Sequence, residues 1–240
     1  MTQEERTLMK RIGIIGAMDA EVSLLKASIT DQKTEVIAQM EFVSGKMGGT
    51  EAVVVKCGMG KVNAGICAHT LINRYGVSEV INTGVGGSLD NRIDIGDIVV
   101  STDAVQHDFD VRVIGFQRGE IPYTGLYAFP ADPSLIEAAI KAVRDTAPEV
   151  KVFEGRVCSV DQFIASSEQK KAIIDNFGGL CCEMEGAAIA QTCYLNQTPY
   201  VIIRAISDKA DDSAAMDYPT FEKKAVEHSV KLIEGLMEAL

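Results

Sequence analysis

Two short stretches concentrate side chains able to move protons. Cys182-Glu183-Met184-Glu185-Gly186-Ala187-Ala188-Ile189-Ala190 sets two acids around a methionine at the mouth of an alanine-rich, otherwise apolar helix. A buried glutamate must be paired, bound to a ligand or protonated, so this pair reads as functional. Val201-Ile202-Ile203-Arg204-Ala205-Ile206-Ser207-Asp208 carries a cation and an acid toward the end of an apolar strand. A period of two puts Arg204, Ile206 and Asp208 on one side. They could form a structural salt bridge or, beside other carboxylates, part of a proton-transfer site. A third acid, Glu21, follows the first apolar run on what should be the opening turn of a helix, where the dipole tolerates negative charge. Glutamate is common there on ordinary surfaces, so Glu21 alone decides nothing.

Glycine-rich turns stand near these acids. Gly13-Ile14-Ile15-Gly16-Ala17-Met18, Gly58-Met59-Gly60 and Gly84-Val85-Gly86-Gly87-Ser88 each close a strand-like run. Any one could be only a tight turn. None is a dinucleotide fingerprint: the first lacks a third glycine at the required spacing, and Leu89-Asp90-Asn91-Arg92 after the third has no helical pattern. None matches a phosphate-binding Walker loop. Three such turns at strand ends would converge on one edge of a sheet, where backbone can approach a ligand closely.

The elements that must hold these residues follow from apolar patterning. Strand-like runs occur at 12–15, 52–57, 79–83, 97–101, 156–160 and 200–206, most of them apolar on both faces, as in a largely parallel sheet covered by helices. Helical patterns alternate with them. Asp132-Pro133 is an N-cap and first-turn proline before a helix stopped by Pro148. Helices are also expected over 61–75, ended by Gly76, over 167–177, ended by Gly178 and Gly179, and over 219–240 with one apolar stripe. The segment from Asp103 to Pro130 lacks regular pattern and carries Phe109, Phe116, Tyr123, Tyr127 and Phe129. Such a loop is either a flap over its own core or, if exposed, a dimer surface.

Composition excludes several partners. The 240 residues carry 23 Lys plus Arg against 34 Asp plus Glu, a net charge of -11. That balance argues against nucleic acid and anionic membranes, which need a basic face. With 47% apolar and 24% charged residues the chain is an ordinary globular protein, and a single α/β domain is the economical reading. No run approaches the 18 or more apolar residues of a membrane span. The start MTQEERTLMKR is polar, and the IGIIGAM that follows is too short for a signal segment. Residues 1–10 therefore read as a polar leader, a candidate for disorder, before a domain over 11–240, with the cytoplasm the expected compartment. Six cysteines without C-x-x-C spacing read as buried free thiols, and three scattered histidines give no metal site.

In this order, the segments IGIIGAMDAEV, GMGKVNAG, INTGVGG, DIVVSTDAVQHDFDV, DQFIAS, CEMEGAAIA and RAISDKAD resemble those of the 5′-methylthioadenosine/S-adenosylhomocysteine nucleosidases, within the wider nucleoside phosphorylase superfamily. The likeness runs from Arg11 to Leu240. It implies a single-domain phosphorylase/hydrolase-like α/β fold, a central mixed sheet surrounded by helices, in a homodimer without cofactor or metal. The implied reaction is hydrolysis of the bond between adenine and ribose in methylthioadenosine and S-adenosylhomocysteine, with 5′-deoxyadenosine a further substrate, in methionine salvage and activated-methyl recycling. Asp208 is the implied acid protonating adenine N7, with Ser207 orienting it, and Glu21 the implied base taking a proton from water. Glu185 resembles the ribose anchor, positioned by Arg204, with Met184 packed on the ribose. Phe163 resembles the aromatic that stacks on adenine, Ile164 reads the base edge through its backbone, and Gly87 lets a turn approach it. Met18, Met59, Val111, Phe116 and Tyr218 match an apolar 5′ pocket, with Ile114 and Pro122 implied to come from the other subunit. Val85 stands where relatives often carry serine, and Ile114 replaces a frequent aromatic.

Two other functions fit less well. A phosphorylase would need Arg or Lys near the glycine turns, where Glu21 would repel phosphate. A nucleoside-binding module without turnover would need no proton donor such as Asp208. The preferred substrate among the 5′-substituted adenosines, 6-amino-6-deoxyfutalosine included, is left open by the residues.

Overall fold

The computed structural model of the chain describes residues 10–240, so the segment 1–9 of the expected leader lies outside the described residues. Its centre is one large sheet. Strand β1 (Arg11–Gly16) is flanked by parallel neighbours β4 (Thr50–Lys56) and β5 (Glu79–Ser88). A meander extends the sheet from β4 through β3 (Met40–Met47) to the edge strand β2 (Thr30–Ile37). On the far side β5 pairs with β10 (Tyr200–Asp208), which pairs with β6 (Ile98–Gln106), then β8 (Val152–Ser159) and β9 (Cys181–Glu183). Because β9 returns to the end of β5, these five strands close on themselves. A short strand, β7 (Phe129–Pro130), adds to β6. Antiparallel pairings are as numerous as parallel ones, so the sheet is mixed, as the resemblance implies and unlike the largely parallel sheet read from apolar patterning.

Alternation sorts the side chains into two cores. Ala52, Val54, Val201 and Ile203 face one layer, where helices α1 (Asp19–Ala27), α3 (Pro133–Thr146) and α6 (Ala214–Ala239) bury Leu25, Leu135, Ile233 and Leu236. Val53, Val55 and Ile202 face the other, covered by α2 (Lys61–Thr70) and α5 (Gly186–Leu195) through Ala64, Ala68, Ala187 and Ile189. Both faces of each central strand therefore need apolar residues, which explains the near-continuous apolar runs. The remaining helix, α4 (Ser167–Phe177), is capped by Ser166, whose side chain accepts the Gln169 N–H, and ends at left-handed Gly178. Asp132 caps α3 by accepting from the N–H groups of Ser134 and Leu135.

Several boundaries differ from the sequence expectation. The helix expected over 61–75 is α only to Thr70 and then widens into a π turn, Leu71–Tyr75, closed by Gly76. Helix α6 starts at Ala214, with Pro219 inside it. Strand β6 runs on to Gln106, which shortens the irregular segment to 107–128; it holds one 3-10 turn, Arg112–Ile114, and the bridge Ile121 to Leu126. The β2–β3 hairpin and the three-residue β9 have no counterpart in the sequence expectation.

Candidate active site

Strand β5 changes partner along its length. From Glu79 to Asn82 it pairs with β1, and at Gly87 and Ser88 it pairs with β9. Between these pairings the strands diverge, and loops leaving β1, β5, β9 and β10 surround a cavity of about 260 Å³. A crevice where strand neighbours part is where open α/β sheets commonly hold ligands.

Glu21 reaches this cavity from the first turn of α1 and is buried, 3% exposed. As the third helical residue it turns back on the helix start: Oε2 accepts from the Ala17 and Met18 N–H groups at 2.6 and 2.9 Å. Oε1 accepts from the Val85 N–H at 3.1 Å. Burial raises its pKa, opposed by the Arg204 charge and these three N–H donors. Gly84 permits the arrangement, because a Cβ there would stand 2.6 Å from Glu21 Oε1. Val85, one of the two departures from the family pattern, thus contributes its backbone to Glu21 and lines the cavity.

Asp208 ends β10 and is equally buried. A register shift between Ile206 and Asp208 against Gly86–Gly87 interrupts the expected alternation, and both Ser207 and Asp208 line the cavity. Oδ1 accepts from the Ala210 N–H at 2.8 Å, and Ser207 Oγ lies 2.9 Å from Oδ2. Burial raises the Asp208 pKa against the pull of these bonds, and the charges of Asp217 and Asp211 raise it further. Gly87 is needed for close approach: its Cβ would meet Asp208 Oδ1 at 2.7 Å. A carboxyl biased toward its protonated form can donate a proton at neutral pH.

Glu183 and Glu185 divide in a way the sequence did not disclose. Arg204, 1% exposed, gives its guanidinium to Glu183 in a buried ion pair and to Asn82 Oδ1 at 2.6 Å. Arg204, expected to position Glu185, makes no direct bond to it among the described contacts: it reaches Glu185 through Glu183, which accepts the Glu185 N–H, and as a neighbouring charge. The reason is local. Glu183 lies at the end of β9, where Oε2 also accepts from the N–H groups of Glu185 and Gly186 at 3.1 and 2.7 Å, and it caps α5. Ser159 bonds Glu183 as well, and its Oγ accepts from the Ala187 N–H at 2.7 Å. Glu185 is left with the Gly60 N–H, 2.8 Å from Oε1. Burial and the Glu183 charge lift its pKa to about 7.

The cavity also gathers Met18, Met59, Gly87, Phe163, Ile164, Met184 and Tyr218, as expected. Phe163 and Tyr218 meet edge to face at 5.6 Å, and Tyr218 Oη lies 3.2 Å from Met18 Sδ. Val111, Phe116, Ile114 and Pro122 are not among the lining residues; within one chain, 107–128 does not reach the cavity. Sequence reasoning missed the roles of Glu183 and Asn82 and the lining by Ala17, Gln162 and Cys182. Only Glu183 offered a signal, as a second acid beside Glu185. All six cysteines are buried thiols. Among the described residues no group of three or more His, Cys, Asp or Glu is placed to hold a metal, and no helix is long and apolar enough to cross a membrane.

Known proteins share this architecture. The profile of the phosphorylase superfamily matches residues 11–238. A 5′-methylthioadenosine/S-adenosylhomocysteine nucleosidase of Shewanella loihica is 43% identical over 231 residues, 96% of this chain and 100% of that protein. The nucleosidase of the same name from Neisseria meningitidis, solved in complex with methylthio-immucillin-A, superposes with a TM-score of 0.93 at 36% identity, covering 96% of this chain and 100% of the other. The futalosine hydrolase of Helicobacter pylori gives a TM-score of 0.91 at 30% identity, covering 98% and 100%.

Proposed function

This chain belongs to the phosphorylase superfamily, and within it to the 5′-methylthioadenosine/S-adenosylhomocysteine nucleosidases; from that premise we propose how its residues divide the reaction. The enzyme hydrolyses the N-glycosidic bond of methylthioadenosine and S-adenosylhomocysteine, releasing adenine and the 5-substituted ribose. Adenine is a poor anionic leaving group. Asp208 gives its proton to N7 as the bond from N9 to the ribosyl carbon breaks and the electron pair moves into the base. Positive charge then develops on the sugar, and Glu185 beneath the ribose hydroxyls stabilises it. Glu21 takes a proton from the water that forms the new bond to that carbon. At the end Glu21 is protonated and Asp208 ionised, and solvent exchange restores both.

One observation carries this division: Glu21 and Asp208, both buried with raised pKa, line the same cavity, one from the first turn of α1 and the other from the end of β10. Three backbone N–H groups favour the carboxylate of Glu21 against one for Asp208, and the Arg204 charge acts on Glu21 while further acids raise the Asp208 pKa, so the two environments differ in the direction that base and acid require. Water rather than phosphate is the nucleophile. No Lys or Arg is among the lining residues, and the Arg204 behind them is taken by Glu183, so a phosphate dianion would meet four carboxyl groups and no cation. Phe163 stacks on adenine, Ile164 and Gly87 approach the base, Met184 packs on the ribose, and Met18, Met59 and Tyr218 receive the 5′ substituent.

The working unit is a homodimer. Val113, Ile114 and Tyr123 are 95%, 65% and 97% exposed on the segment 107–128. A second copy covers these apolar side chains and brings Ile114 and Pro122 to the 5′ side of its neighbour's cavity, with Val111 and Phe116 ordered alongside. The 5′ side is then the part free to vary, which extends the range to 5′-deoxyadenosine. Buried thiols suit the cytoplasm as the compartment.

The test is adenine release from methylthioadenosine with and without phosphate, by wild type, D208N and E21Q. Phosphate-independent release, lowered about a hundredfold or more in either variant with nucleoside binding retained, is the expected result. Ribose 1-phosphate as product, or wild-type turnover in D208N, overturns the assignment.

A further inference from the structure

Helix α4 buries Lys170, Ile173 and Phe177 along one stripe, so a lysine occupies a position where the pattern calls for an apolar side chain. Lys170 is only 8% exposed, and burial lowers its pKa. Burying an ammonium is costly unless its donors are used. Among the described residues Lys170 makes no ion pair within 4 Å; from further off the charges of Asp211 and of Asp208 itself favour its ammonium form, and that of Lys209 opposes it. Its Nζ donates instead to the Lys209 carbonyl at 2.7 Å and, more weakly, to Asn91 Oδ1 at 3.5 Å.

The Lys209 carbonyl and the Ala210 N–H belong to one peptide group. The carbonyl end accepts from Lys170, and the N–H end donates to Asp208 Oδ1 at 2.8 Å. Ala210 has φ +51, a left-handed conformation that a residue with a Cβ adopts only when its surroundings impose it. The side of that peptide facing Gly87 has no slack, since a Cβ on Gly87 would stand 2.9 Å from Ala210 Cβ. We infer that Lys170 is a positioning residue for the general acid, acting through the peptide group between Lys209 and Ala210. It fixes the direction of the N–H that holds Oδ1, and its charge polarises that peptide so the N–H binds the carboxylate more strongly. Lys170 is not among the residues lining the active-site cavity. Its influence falls on proton transfer and not on substrate affinity.

This inference rests on Asp208 as the acid, and the experiment separates the two. Steady-state kinetics of wild type, K170M, D208N and K170M/D208N are measured across pH with methylthioadenosine. In K170M kcat falls roughly tenfold, the order expected for a misdirected catalytic group, while KM changes less than about twofold. The alkaline limb of kcat/KM moves to higher pH, because the carboxylate has lost part of its stabilisation. In the D208N background the Lys170 substitution has no further effect. K170Q, which keeps a donor for the carbonyl without the charge, recovers part of kcat, and it serves in place of K170M if that variant does not fold. An unchanged alkaline limb, or an equal loss in both backgrounds, overturns the role of Lys170. Wild-type turnover in D208N overturns instead the acid assignment beneath it.

Discussion

Arg204 is bonded to Glu183, and Glu185, two residues further along, is held by the backbone of Gly60. One acid is thereby committed to the scaffold and the other remains free for a ligand. The site thus holds two chemically identical side chains with separate duties, set by which one meets the helix start and the guanidinium.

Removing the cation exposes the cost of that arrangement. R204M leaves Glu183 buried without its partner, a loss of about 3–5 kcal/mol. The melting temperature should fall by roughly 6–20 °C in calorimetry. R204M/E183Q recovers part of this, because glutamine can still accept from the Gly186 N–H without an unpaired charge.

Glu185 gives a pH-dependent signature. Its folded pKa of about 7 lies above the ordinary 4.5. The folded state therefore holds this proton more tightly, a contribution complete below about pH 4.5 and lost as pH rises through 7. Above that, the ionised group costs up to about 3 kcal/mol at 1.36 kcal/mol per unit. E185Q, neutral throughout, should melt several degrees higher than wild type at pH 8.5 and level with it near pH 4. Its kcat should fall at least tenfold, and wild-type KM should rise below pH 7 as the ribose anchor is protonated. Parallel melting and activity series check both.

The proposed mechanism needs Glu21 ionised and Asp208 protonated, and burial raises both pKa values. The kcat/KM profile should be a bell, falling on the acid side as Glu21 takes a proton and on the alkaline side as Asp208 loses one. The residual activity of E21Q should lack the acid limb assigned to Glu21, and that of D208N the alkaline limb.

G84A sends a Cβ to within 2.6 Å of Glu21 Oε1, against a carboxylate tied by three N–H groups. Relief requires Glu21 or the Val85 peptide to move. A destabilisation of about 1–3 kcal/mol and a fall in kcat of tenfold or more should follow. Ala at Gly65, whose nearest neighbour to such a Cβ is 3.6 Å away, should leave kcat unchanged.

Much of this was legible in the residues. Strands such as β1 and β10 are apolar on both faces because helices cover both, and Asp132-Pro133 starts α3 by its own chemistry. Burial of the acids around Met184 was readable from the apolar, alanine-rich helix that follows them, whereas that of Glu21 was not, because a first-turn glutamate is as common on an ordinary surface. The β2–β3 hairpin was not. Strand β2 is exposed along nearly all its length, and its turn takes positive φ at Ala38 and Gln39 without the glycine or asparagine that signals such turns. Strand β9 is too short for any period to show. The partner of Arg204 was hidden because adjacent acids look alike until the strand end and helix start assign them. Val111 and Phe116 fail to reach the cavity because no neighbour within the chain fixes their segment there.

Strand β5 joins parts of the chain that are far apart in time as well as in sequence. During synthesis the segment with Glu21 emerges before β5, while Asp208 and β10, which must lie against β5 to complete the closed ring, emerge more than a hundred residues after it. Such long-range pairing is slow, and it cannot begin before its partner exists. A nascent or truncated chain lacking β10 carries the base without the acid. On the proposed division of roles, the ability to cleave nucleosides therefore arises only once β10 has been made and paired with β5, and no copy lacking β10 can consume substrate.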